Sequence, residues 1–269
     1  MTSLRIGTWN LLEGGLDGTD ASRLERQIDL LAELDLDLLG LQEATWRHRG
    51  AEMLHHVAHR LGMTARVLTP SNHHACALAT FVRERPGVRV VGEAHDTSGS
   101  WWHALAHVEV DVDGIGTFDF LNTHLAPSSE DQRAREGQQL GLYKNCRAIL
   151  LGDMNAVPAT DPLPSPDDTD DGRAHGKRDR RAAQAIARAG FVDVGASVGD
   201  TTPTVGHIEP GKLAYRCDRI MHNNLPVEHV THEVISCVDN ATGSGHDYLS
   251  DHSPVVATLQ FGAAAEKAA

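Results

Sequence analysis

The 269-residue sequence lacks any long apolar run; nothing in it approaches the roughly 18 consecutive apolar residues that a membrane-spanning helix requires. Its first residues, Met1-Thr2-Ser3-Leu4-Arg5, pass straight into a strand-like segment, with no apolar stretch of the secretory kind. Cysteine is scarce. Cys76, Cys146, Cys217 and Cys237 lie far apart without a C-x-x-C pair, which fits reduced thiols better than a disulfide framework and argues against structural zinc. These absences predict a cytoplasmic protein with reduced thiols. Basic charge is also short, with 24 Lys plus Arg against 37 Asp plus Glu and a net charge of −13. Broad electrostatic capture of nucleic acid depends on Lys and Arg neutralising phosphates, so only a local basic face would serve a nuclease here. There is no internal repeat and no linker. The 41% apolar residues fall in short punctuated runs, which excludes collagen, coiled coil and disorder. One domain over residues 1–262 is expected, with a frayed tail at 263–269.

What is present reads as mixed α and β. Leu4–Trp9 alternates as a strand ending at Asn10. Ser22 and Glu25 form a capping-box pair ahead of Leu24, Ile28 and Leu31, which predicts a helix. The run 36–42 predicts a buried strand running out at Glu43, and a helix is expected from Thr45 to Leu61. Strands follow near 64–68, 74–82, 87–94 and 103–112. Asp113-Gly114 signals a hairpin into the run 116–123. A helix from about Ser129 to Lys144 precedes the strand 147–151. Residues 157–176, with Pro158, Pro162, Pro164 and Pro166 among several aspartates, predict a long solvated loop. A basic helix through Arg173, Lys177, Arg178, Arg180 and Arg181 is expected next, then strands near 214–221, 227–236 and 254–261.

Acids, amides and histidines sit just past these strands: Trp9-Asn10, Gln42-Glu43, Thr123-His124-Leu125, Gly152-Asp153-Met154-Asn155, Cys217-Asp218-Arg219-Ile220 and Ser250-Asp251-His252-Ser253-Pro254. Taken singly, each is more often a turn former than a ligand. Strand ends on one edge of a layered protein converge, however, so six such segments predict a shared pocket. Glu43 and Asp251, with an oxygen from Asn10, offer the hard ligands that Mg²⁺ or Mn²⁺ demands. Asp153 beside Asn155 can orient and deprotonate a water. A carboxylate such as Asp218 can hold His252 in one tautomer, and His124 can deliver a proton to a leaving oxygen. A Lewis acid, a positioned water and imidazoles describe hydrolysis of a phosphate ester.

The six segments, in this order from Leu4 to about Phe261, resemble the signatures of the endonuclease/exonuclease/phosphatase superfamily, which includes abasic-site endonucleases and secreted deoxyribonucleases. The resemblance implies an α+β fold, a four-layer α/β/β/α sandwich of two mainly antiparallel sheets with the site at one end. It also implies Asn10, Glu43 and Asp251 around the metal, Asp153 and Asn155 on the water, Asp218 paired with His252, and His124 as the leaving-group histidine. The chain departs from the pattern at Tyr215-Arg216-Cys217 ahead of Asp218, at Trp101-Trp102, and in the long loop after Asn155. No tyrosine matches the one that some abasic-site enzymes place in the site.

Three further features carry rival readings. His55 and His59, one helical turn apart, suit a surface metal less well than a solvated helix face. His73-His74 precedes a strand and borders the pocket in the sharper reading. Trp101-Trp102 offers a stacking surface, with one ring expected in the core because adjacent strand residues face opposite ways. The chain is therefore read as a metal-dependent phosphoester hydrolase that acts on nucleic acid through the basic run and a tryptophan. A phosphatase or phosphodiesterase for a small phosphorylated metabolite is the alternative, favoured by the −13 charge. A non-catalytic binding module would have lost some of the polar set. Neither a membrane nor an obligate protein partner is expected.

Overall fold

The alternation of apolar side chains is resolved by two stacked sheets in a computed structural model, which describes residues 2–165, 172, 174–208, 211–238 and 248–262. In chain order the elements are β1 (Thr2–Asn10), α1 (Ser22–Glu33), β2 (Leu38–Gln42), α2 (Gly50–Leu61), β3 (Ala65–Thr69), β4 (Leu78–Val82), β5 (Val88–Glu93), β6 (Leu105–Val112) and β7 (Gly116–His124). They continue as α3 (Glu130–Gln139), β8 (Ala148–Asp153), α4 (Ala174–Lys177), α5 (Arg181–Arg188), β9 (Val192–Asp193), α6 (Val194–Ser197), β10 (Asp218–Asn223), β11 (Val227–Val234) and β12 (Val255–Phe261). One sheet has the order β11-β12-β1-β2-β4-β3 and the other β5-β6-β7-β8-β10-β9. Each is antiparallel except for one central pair, β1 with β2 and β7 with β8. The fold is the expected α+β sandwich.

Period-two faces explain the layers. Leu4 and Ile6 of β1, Phe118 and Phe120 of β7, Ile149 and Leu151 of β8 and Leu259 of β12 meet between the sheets. The opposite faces, with Trp9, Leu39, Leu41 and Phe81, receive Leu24, Ile28 and Leu31 of α1 and Val57 of α2. On the far side Leu121 and Leu150 pack under Ala182 and Ile186 of α5. These side chains are buried, and each one of Leu, Ile or Phe size contributes about 1.5–3 kcal/mol against exposure. The central parallel pairs bring the C-terminal ends of β1, β2, β7 and β8 to one edge. No helix among the described residues is long and apolar enough to cross a membrane.

Several local expectations shift. The Ser22/Glu25 capping box does not form; Asp20 accepts from the Ser22 amide and hydroxyl instead. The helix expected from Thr45 starts at Gly50, after a 3-10 turn at Arg47–Arg49, because Glu43 and Arg47 take positive φ. The helix after Ser129, whose hydroxyl caps it, ends at Gln139 and tightens into a 3-10 turn at Leu140–Tyr143. The basic helix is two pieces, α4 and α5. The Pro/Asp loop is not wholly solvated: Val157 is buried, and Asp161 grips the buried Arg216 at 2.7 Å. Residues 166–171 of that loop, Arg173 and the tail 263–269 lie outside the described residues.

Candidate active site

Each segment singled out at a strand end reaches the same edge. A cavity of about 180 Å³ there is lined by Glu43, His124, Asp153, Asn155, Asp251 and His252, with Lys177, Lys212, Leu213 and Tyr215 among its other walls. Asn10, at the end of β1, joins two of its carboxylates. Its amide nitrogen donates to Glu43 Oε1 at 3.2 Å and to Asp153 Oδ2 at 3.1 Å, while its oxygen accepts from the Leu12 amide at 3.1 Å. Glu43, just past β2, has φ 52°, and its second carboxylate oxygen accepts from the Glu13 amide at 3.1 Å.

Asp153 is the hub. One oxygen takes the Asn155 amide at 2.9 Å and the Cys217 thiol at 2.8 Å; the other faces His124 Nε2 at 3.3 Å and His252 Nε2 at 3.9 Å. Burial opposes ionisation of Asp153, but the charges of His124, His252 and Lys177 outweigh it and hold the carboxyl well below the usual carboxylate range. Burial, and then the Asp153 charge, push the Cys217 thiol far up, so it remains a donor. The strand turns here through Gly152, φ 136°, where a Cβ would sit 1.8 Å from the Thr123 carbonyl oxygen.

His252 Nδ1 meets Asp218 Oδ2 at 2.8 Å, and the Thr204 hydroxyl donates to that same oxygen at 2.7 Å. Burial opposes the imidazolium, yet the Asp218 and Asp153 carboxylates raise the His252 pKa well above its ordinary value. Asn155, φ 49°, is held by donation of its amide to the Leu125 carbonyl at 2.9 Å, and its oxygen accepts from the Lys177 ammonium. His124 is oriented differently from His252. Its Nδ1 is buried without a hydrogen-bond partner, and its ring stacks on that of His103 at 4.2 Å.

A polar layer between the sheets fixes the strand ends. Gln42 donates to Asn122 Oδ1 at 2.8 Å and to Thr8 Oγ1 at 3.0 Å, and Asn122 donates to Thr80 Oγ1 at 3.1 Å. Ser250 donates to the Asn10 carbonyl at 2.7 Å, and the Trp9 indole to the His252 carbonyl at 2.7 Å. The segment bearing Asp251 is thus tied to β1 from both sides.

Lys177, Lys212, Tyr215 and Thr204 were not legible as site residues. Lys177 lies 22 residues from its partner Asn155 across the Pro-rich loop, and nothing in its neighbourhood distinguishes it from the surrounding arginines. Tyr215, a departure from the family pattern, lines the cavity, and its hydroxyl lies 3.4 Å from Cys217 Sγ. Trp101 is core, as expected of one of the two tryptophans, and the Trp102 ring lies tilted against that of His73, with centroids 4.3 Å apart. His55 accepts from Arg66 at 2.6 Å, a surface contact that leaves the His55/His59 metal reading without support.

The sequence matches the profile of the Endonuclease/Exonuclease/phosphatase family over residues 7–252. The chain belongs to this family. No curated protein matches its sequence. Among solved structures it is similar to Danio rerio TDP2 complexed with a single-strand DNA product, at 17% identity and TM-score 0.69, covering 97% of this chain and 100% of that one. It is similar also to an endonuclease/exonuclease/phosphatase family protein of Bacteroides thetaiotaomicron, at 19% identity and TM-score 0.67, over 97% and 96%. A mannosyl-6-phosphatase of the same organism gives 18% identity and TM-score 0.65 over 96% and 100%. At these identities the likeness is one of fold.

Proposed function

We propose that this chain is a Mg²⁺- or Mn²⁺-dependent phosphoester hydrolase acting as one catalytic unit over residues 1–262, and that it cleaves a phosphodiester of nucleic acid by attack of water on phosphorus. The convergence of Glu43, Asp153 and Asp251 with two carboxamides and two imidazoles on one cavity carries the reading. The donor set fits a hard dication: Glu43 and Asp251 present oxygen, and no thiol lines the cavity. Cys217 approaches Asp153 and His252 within 4.8 Å, but from behind Asp153, to which it donates. Glu43 and Asp251 would hold the ion, with Asn10 joining them by turning its carboxamide. When bound, the ion would polarise the phosphoryl oxygens.

The protein's own groups supply the rest. Asp153, kept ionised, orients the attacking water together with Asn155 and accepts the proton it loses as its oxygen bonds to phosphorus. His252, kept charged by Asp218, donates to a phosphoryl oxygen where negative charge develops, and Lys177 adds a second cation there. His124 carries the proton to the leaving oxygen. The four unpaired thiols accord with action in the cytoplasm.

One observation favours a second reading, hydrolysis of a small phosphorylated metabolite. Arg178 donates to the Pro164 carbonyl, Arg180 to the Asp161 carbonyl, and Arg181 pairs with Asp179 and Asp131. These three arginines are therefore engaged by partners within the chain, and Lys177 and Lys212 are the ammonium groups that line the cavity among the described residues. A panel of plasmid DNA, single strands, RNA, bis-p-nitrophenyl phosphate and phosphomonoesters, each with Mg²⁺ and Mn²⁺, separates the two. Turnover of monoesters alone would overturn the diester reading, and turnover of none would overturn both.

A further inference from the structure

On the outer face of the second sheet, away from the cavity, an imidazole and two carboxylates converge. His107 and Glu109 lie two apart on one face of β6, and Asp119 of β7 stands directly opposite Glu109 in the antiparallel register. His107 Nε2 is 2.9 Å from Asp119 Oδ1, and ligand-type atoms of all three lie within 4.8 Å of one another. Like charges directly opposed across strands are destabilising unless something intervenes. Among the described residues no Lys or Arg side chain pairs with either: His107 is the side chain that meets Asp119, and Glu109 makes no hydrogen bond or ion pair, while its neighbour on the same face, Asp111, is taken by Arg89 at 2.6 Å.

The surroundings leave space at this point. A bulge in β5 between Val90 and Gly92 sets Gly92 opposite Glu109, where a Cβ would come within 2.7 Å of Glu109 Oε2. The bare glycine leaves the flank of the cluster open. His107 is about nine-tenths buried, its ring edge-on to Tyr143 with centroids 5.6 Å apart, and the Tyr143 hydroxyl lies 3.5 Å from Nδ1. An oxygen partner on one imidazole nitrogen is what orients the other towards a metal. With Nδ1 facing Tyr143, Nε2 is the ring nitrogen turned to the two carboxylates.

We propose that His107, Glu109 and Asp119 bind a divalent transition-metal ion of the zinc class, at a site independent of the catalytic cavity. One imidazole and two carboxylates suit such an ion, whereas Mg²⁺ prefers oxygen alone and retains its waters. Ligand distances of about 2.0–2.2 Å require only a modest closing of the three side chains onto the ion.

The test uses the full chain, stripped with EDTA and dialysed, in a Glu43→Gln background that weakens metal binding in the cavity. Zn²⁺ is titrated calorimetrically into this parent and into the same chain with Glu109→Gln, Asp119→Asn or His107→Ala. The expected result is a Zn²⁺ equivalent in the parent that each substitution abolishes or weakens at least about tenfold, the scale on which even supporting residues act. That equivalent should raise the parent's Tm and leave the Tm of the Glu109→Gln chain unmoved. Glu109 is partly exposed and unpartnered, so Glu109→Gln decides the matter if His107→Ala fails to fold. Equal Zn²⁺ stoichiometry and affinity in the parent and in Glu109→Gln would overturn the proposal. In a chain with Glu43 intact, Glu109→Gln should leave Mg²⁺-dependent turnover unchanged.

Discussion

His252 and Asp218 form a buried pair, Nδ1 to Oδ2 at 2.8 Å, whose carboxylate is fully enclosed and held in turn by the Thr204 hydroxyl. The geometry leaves Nε2 directed at the cavity edge, 3.9 Å from Asp153. An Asn at position 218 would keep the shape of the pair and remove the charge that sustains the imidazolium. Asp218→Asn should lower kcat by about 10²-fold or more while KM moves little, the loss expected for a positioned acid–base group. Steady-state kinetics at saturating metal check this, and near wild-type kcat in the folded variant would remove the pair from the chemistry.

The proposed metal dependence rests on Glu43 and Asp251, whose carboxylates line the cavity. EDTA should abolish turnover, and Mg²⁺ or Mn²⁺ should restore it. Glu43→Gln should raise the metal concentration at half-maximal rate, because a charged ligand is replaced by a neutral one. Activity undiminished in chelator would refute the metal assignment.

Layering and site location were legible in the sequence for one reason, that strand faces alternate and strand ends converge. Asn10, Glu43, His124 and Asp153 could be placed together because each follows an apolar run, whereas Asp218 and Asp251-His252, expected just past strands, instead open β10 and precede β12, antiparallel strands whose leading ends reach the same edge. Lys177 could not. Its position depends on how the Pro/Asp loop returns, and that return is pinned by Asp161 on Arg216, a contact spanning 55 residues that no local pattern announces. The Ser22/Glu25 motif failed for the opposite reason: a good local signal lost to Asp20, which reaches the same amide from outside the helix.

Lys177 and the three arginines after it should behave differently. Lys177→Met should lower kcat/KM by about 10²-fold, as loss of one charged donor at a developing oxyanion does. On an oligonucleotide, log kcat/KM against log salt should flatten by roughly 0.7–0.9, one phosphate contact. Replacing Arg178, Arg180 and Arg181 with Ala should leave that slope near wild type, since their partners are within the chain. A slope flattened by two or three contacts in the triple variant would show that the basic run holds nucleic acid.

Arg216 is enclosed between Asp161 and Asp193, at 2.7 and 2.9 Å. Burial opposes its charge, and the hydrogen bonds to both carboxylates outweigh that and raise its pKa. Removing the guanidinium leaves two sequestered carboxylates without their partner, so Arg216→Ala should destabilise the fold by about 3–5 kcal/mol. Denaturant unfolding measures the loss. A change below about 1 kcal/mol would place this cluster among surface pairs that contribute little.

The stack of His103 on His124 makes a prediction about acid. His103 is enclosed, and burial first, then the His124 charge, lower its pKa from 6.5 to about 2. Above pH 6.5 the ring is neutral whether the chain is folded or not, and it adds no pH dependence. Between pH 6.5 and about 2 the unfolded chain takes up a proton that the folded one refuses, so stability falls as pH falls, by about 1.4 kcal/mol per pH unit from this group alone. His103→Asn removes the titration. Urea unfolding of both proteins in EDTA, at pH 7.5, 6 and 5, should give a difference in stability that is constant above pH 6.5 and shrinks, or reverses, by about 1.4 kcal/mol per unit below it. Parallel pH curves for the two proteins would mean that His103 takes up its proton in the folded state, which its enclosure against His124 opposes.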